Sequence, residues 1–161
     1  MGFLSDFFTG GVSGATNSAA RVGRSGGIRQ IEHLCDQIGW GIDERLGDSG
    51  IGLDFKDPIV GTRRLLVTAG EKIAILNLFS SAEFPARHVP IELALHLLQR
   101  NHEGIFHAWR MIGPEGGKVG FAAVYSALME GLDPVTFKTI CETLFKEVHA
   151  FDAKLRESGV I

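Results

Sequence analysis

The segment from Asn101 to the C-terminus constrains this chain most, because it reads as strand, tight turn, strand and then one long helix. Asp133-Pro134 marks the helix start. An Asp carboxylate accepts the free amides of a first turn, and proline is tolerated at the first helical position. Apolar residues then recur at Phe137, Ile140, Cys141, Leu144, Val148, Phe151 and Leu155, and these spacings of three and four lay one stripe along a helix. Lys138, Glu142, Lys146, Asp152 and Arg156 fall mostly on the other side, and Gly159 is the expected terminator. Such a stripe needs a broad apolar cover, and a sheet supplies one.

Part of that sheet precedes the helix. Ile105 to Ile112 alternates Ile105, His107, Trp109 and Met111 with Phe106, Ala108, Arg110 and Ile112. Gly113-Pro114-Glu115-Gly116-Gly117 has the composition of a turn. Lys118 to Leu128 follows, with Val119, Phe121, Ala123 and Tyr125 on one face and Gly120, Ala122, Val124 and Ser126 on the other. The pair predicts a hairpin.

Upstream, Ile28 to Leu46 reads as a first helix with Ile28, Ile31, Leu34, Cys35, Ile38, Ile42 and Leu46 on one stripe, weakened at Gly39 and Gly41. Three short strands follow: Ile51 to Phe55, Thr62 to Thr68 with Arg63 and Arg64 at its entry, and Ile73 to Phe79. Their connections are too short for parallel crossovers, so they form an antiparallel meander. Ser80 to Val89 reads as a loop. Pro90 opens a second helix through Glu103 whose Leu and Ile content suits burial or a subunit contact, with Leu93 and Leu97 the candidate dimer residues. The fold class is α+β, an antiparallel sheet of about five strands in the order α-β-β-β-α-β-β-α, with the helices mainly on one face.

Residues 1–27 are a different material, a Gly/Ser-rich stretch expected to be a flexible tail before a single domain over 28–161. Phe3, Leu4, Phe7 and Phe8 form an apolar knot in it, with a second reading as a docking element on the same chain or on a partner. The stretch lacks the basic start and sustained apolar centre of a secretory signal, so a cytoplasmic protein is expected.

At 161 residues, 45% hydrophobic and 22% charged, the chain is long and apolar enough to bury a core. A net charge of −3 gives no general attraction to nucleic acid or to anionic lipid, and no apolar run approaches the roughly 20 residues of a membrane span. Cys35 and Cys141 lie on apolar stripes and read as buried thiols. The histidines are the available reagents for an enzyme or metal-binding reading, with His88, His102 and His107 as its site. No paired-histidine metal motif occurs, and no catalytic residue, metal ligand or cofactor is assigned. Asp43, Glu44, Asp54 and Asp57 read as solvated carboxylates at a helix end and a turn.

The run Leu97-Leu98-Gln99-Arg100-Asn101, the strand Ile105 to Ile112, the Gly-turned strand Lys118 to Leu128 and Leu132-Asp133-Pro134 together resemble the YbjN-like family and the similar type III secretion chaperone fold, over about Ile28 to Leu155. The Gly-rich tail and the Gly-Pro-Glu-Gly-Gly turn depart from that pattern. The resemblance implies a non-catalytic, chaperone-like or regulatory protein, usually dimeric, that holds another protein against an apolar patch. From the residues themselves, the sheet face carrying Ala108, Arg110, Ala122 and Val124 is small-featured with a lone Arg, suited to a close-packed partner.

Overall fold

The computed structural model describes residues 25–104 and 107–160. The readings made for residues 1–24 and for Ile105 and Phe106 lie outside them. Helix α1 is Gly26–Ile38, capped by the Ser25 hydroxyl, which accepts from the Ile28 amide. It is shorter than the predicted span to Leu46, because Gly39 takes a left-handed conformation (φ 73°) and turns the chain. Glu44–Leu46 is instead a short edge strand, β1, which is why the sheet has six strands rather than five. Strands β2 (Gly50–Asp57), β3 (Gly61–Ala69) and β4 (Ile73–Pro85) form the meander. Helix α2 is Ile91–Glu103, β5 is Ala108–Glu115, β6 is Lys118–Leu128 and α3 is Pro134–Glu157.

The strands are ordered β1-β2-β3-β4-β6-β5, each pair antiparallel. Residues 80–85, expected in a loop, continue β4 past a bulge between Phe79 and Glu83 and pair Phe84 with Val119. The β5–β6 turn closes on Gly116 and Gly117, both at positive φ.

The predicted period of the last helix is the period observed. Asp133 caps α3 by accepting from the Val135 and Thr136 amides, and Phe137, Ile140, Cys141, Leu144, Val148, Phe151 and Leu155 are all buried. They meet the inward residues of the sheet, among them Leu53, Leu65, Leu76, Leu78, Trp109 and Phe121. Ile28, Ile31, Leu34 and Cys35 of α1 and Leu97 of α2 join the same core, so the three described helices back one face. Trp109 packs on Phe151 with ring centroids 4.5 Å apart. On the reverse face Ile112, Ala122 and Val124 form a second cluster, flanked by Ile75 and Phe79, to which none of the described helices contributes.

Candidate protein-interaction surface

Two polar clusters lock the helical layer onto the sheet. In the first, Arg63 is buried on the inward face of β3. Its Nε donates to Asp57 Oδ2 (2.9 Å), its Nη2 to Asp152 Oδ2 (2.8 Å) and its Nη1 to the Phe79 carbonyl (2.8 Å). Asp152 also accepts from the Ser80 and Ser81 hydroxyls and from the Ser81 amide (3.0 Å), at the β4 bulge. Asp57 further accepts from the Ile59 and Val60 amides and lies 3.1 Å from His149 Nδ1. Burial alone would raise the Asp57 pKa, but the Arg63 guanidinium, the two amides and His149 outweigh it and bring it down to about 2. Asp57, read from sequence as a solvated turn carboxylate, and Asp152, placed mostly opposite the apolar stripe, are therefore corrected to buried, paired carboxylates.

In the second cluster, Glu147 of α3 accepts from the Trp109 indole (3.0 Å) and from Arg100 of α2 by two bonds. His107 Nε2 stands 3.4 Å from Glu147, within ion-pair reach but without a hydrogen bond of ordinary geometry. The His107 ring, then Arg100 and Trp109, hold the Glu147 carboxyl well below its usual range against the opposing effect of burial. Asn101 adds a backbone clamp, its side chain donating to the Trp109 carbonyl and accepting from the Trp109 amide (2.6 Å). These groups join α2, β5 and α3.

The histidine site read from sequence does not assemble. His88 and His102 are exposed, while His107 turns to Glu147. Among the described residues no group of three or more His, Cys, Asp or Glu side chains is gathered as a metal ion would require. His107 also borders a cavity of about 230 Å³ with Tyr125, Thr136, Thr139 and Thr143. Cys35 and Cys141 are buried free thiols, and burial pushes Cys35 up to about 12.

The candidate contact residues separate by exposure. Ala108 and Arg110 are exposed on β5, an edge strand, whereas Ala122 and Val124 are 2% and 4% exposed. On α2, Leu97 is spent in the core and Leu93 packs against it. The exposed large apolar residues of that helix are Ile91, Leu95 and Leu98, at 68%, 59% and 64%. They stand four and three residues apart and form one apolar row, which the reading of Leu93 and Leu97 as contact residues missed. None of the helices among the described residues is long and apolar enough to cross a membrane.

No protein-family model matches the chain, and no curated protein matches it. Solved structures do. The crystal structure of YbjN from E. coli, a proposed transcription regulator, superposes with a TM-score of 0.63 at 11% identity, over 83% of this chain and 93% of YbjN. The Yersinia pestis type III secretion chaperone SycH, solved in complex with a stable fragment of YscM2, superposes with a TM-score of 0.49 at 8% identity, over 74% of this chain and 94% of SycH. The helix-backed antiparallel sheet of this chain is the YbjN-like fold.

Proposed function

We propose that this chain is a non-catalytic binding protein that acts through protein–protein contact and assembles as a homodimer across α2. The observation that carries the reading is the row Ile91, Leu95 and Leu98, three large apolar side chains each more than half exposed on one helix stripe. Contiguous apolar surface of this kind marks contact sites, whereas singly scattered apolar residues do not. Two copies of α2 crossing antiparallel about Leu95 bring Ile91 of each opposite Leu98 of the other. That is the self-complementary arrangement a twofold contact requires. Antiparallel helices also set each positive N-terminus beside a negative C-terminus.

The partner chain is placed on β5, beside this helix. An edge strand presents unpaired backbone donors and acceptors to an added strand, and on it Ala108 is exposed and small while Arg110 offers an exposed guanidinium. Light scattering on the purified chain tests the dimer: about twice 17.4 kDa is expected, and a clean 17.4 kDa species overturns it. Capture from the native cell tests the partner surface. Proteins retained by the unaltered chain and lost by Arg110→Glu support the edge, and identical retention removes it.

A further inference from the structure

The reverse sheet face carries an apolar lane that starts where the described chain starts. Ser25 is fixed at that end, its amide donating to the Asp48 carbonyl (3.1 Å) and its hydroxyl to the Ala69 carbonyl (2.8 Å). Ala69 pairs with Ala74, next to Ile73, and Ile73 pairs with Leu128 on the reverse face. Ile73 and Leu128 are 49% and 70% exposed. From this pair the lane runs along β4 and β6 through Ile75 and Val124, whose register partners are the polar Ser126 and Asn77, to Phe79, Ala122 and Ile112. It ends at a cavity of about 350 Å³ beside the β4 bulge, lined by Val60, Phe79, Ala82 and Ile112 and on its polar side by Arg64 and Glu83 among others, large enough for an aromatic side chain. Phe79, Ala122 and Arg110 are register partners in one row across three strands, so an exposed cation stands at the far side of the lane.

The segment preceding Ser25 matches this lane in chemistry and in length. Its apolar residues are concentrated at Phe3, Leu4, Phe7 and Phe8, around the carboxylate of Asp6. Residues 9–24 are rich in Gly, Ser and Ala, a composition for which a chain of this length spans roughly 20–24 Å. Ile73 to Phe79 along β4 is about 20 Å at ~3.3 Å per residue. We propose that Phe3, Leu4, Phe7 and Phe8 fold back onto the reverse face of their own chain, with an aromatic ring in the cavity beside Phe79 and Asp6 opposite Arg110. The knot is then an internal occupant of the face next to β5, and a partner that uses Arg110 competes with it. This does not rest on the α2 dimer.

The test places a benzophenone-bearing phenylalanine at Phe7 of the full chain, irradiates it and maps the products. Crosslinks within one chain to peptides spanning residues 73–79, 108–112 or 120–128 are expected. Arg110→Glu lowers their yield by about three- to fivefold, the reach of one exposed charge pair, and adding Asp6→Lys restores it. Thermal melting shows that both variants remain folded. Crosslinks joining two chains assign the knot to a second copy and overturn the proposal, as do crosslinks to α2 or none at all. An unchanged yield in Arg110→Glu overturns the pairing with Asp6.

Discussion

Arg63 Nη2 and Asp152 Oδ2, 89 residues apart in the chain, meet at 2.8 Å with side chains 2% and 0% exposed. The contact fixes α3 to β3, and through Ser80 and Ser81 to the bulge of β4. Removing one member of a buried ion pair strands the other charge in a low dielectric, which costs about 3–5 kcal/mol. Asp152→Ala and Arg63→Ala should each lose that much in urea unfolding. A loss below about 1 kcal/mol would mean that water reaches the cluster.

The two polar clusters set an acid limit. Asp57 has its folded pKa brought down from 3.8 to about 2, and Glu147 is also held below its ordinary value. A depressed carboxylate contributes stability that is fully present above its unfolded pKa and lost as pH falls through the folded one. Urea midpoints should therefore fall between about pH 4 and pH 2, and the slope there should be shallower in Asp57→Asn. Parallel curves for the two proteins would remove Asp57 as a cause.

Neither prediction was readable from charge alone, yet part of its signal was present. Asp152 follows Val148 by four residues and precedes Leu155 by three, which puts it on the apolar stripe rather than opposite it. Arg63 alternates with Leu65 and Val67, so it shares their inward face. Placing Asp152 opposite the stripe and Arg63 merely at a strand entry hid both. The hairpin, α3 and the side of the sheet it covers were legible because a period of two and a period near 3.6 each ran unbroken. The end of α1 was not, since the apolar stripe continued past Gly39 while the backbone left the helix there. Glu147 carried no local mark, because its partners Arg100 and Trp109 come from other elements.

Gly27 offers a sharper test of how α1 seats. A Cβ built there would fall 1.8 Å from the Gly70 carbonyl oxygen, on backbone that cannot swing aside. Gly27→Ala must push α1 off the β3–β4 turn, at roughly 1–3 kcal/mol. Gly26→Ala meets only the far end of the Arg29 side chain and serves as the neutral control. Equal melting temperatures for the two variants would show that the helix start is not packed on Gly70.

The reverse face separates a structural residue from a surface one. Ala122 is buried between Ile112 and Val124, so Ala122→Asp places a carboxylate without a partner in an apolar cluster. The domain should lose about 3 kcal/mol or more and unfold at a visibly lower temperature. Arg110 is exposed in the same cross-strand row, and Arg110→Glu should melt within a few degrees of the unaltered chain. If both variants melt alike, the apolar cluster is not shielded from solvent.

Leu95 lies at the centre of the exposed row on α2, between Ile91 and Leu98, and its side chain is 59% exposed. Replacing it with Asp removes little from the core, since Leu97 and not Leu95 faces inward. Thermal stability of the monomer should change by no more than about 0.5 kcal/mol. The dimer should respond far more, because a twofold axis near this residue brings two new carboxylates together and desolvates both. The expected outcome for Leu95→Asp is a 17.4 kDa species by light scattering at concentrations where the unaltered chain is paired. Leu93→Ala separates the alternatives: Leu93 packs against the core, so that change should lower stability while leaving the pairing in place. Dissociation by Leu93→Ala without loss of stability, together with an intact Leu95→Asp dimer, would move the contact off this row.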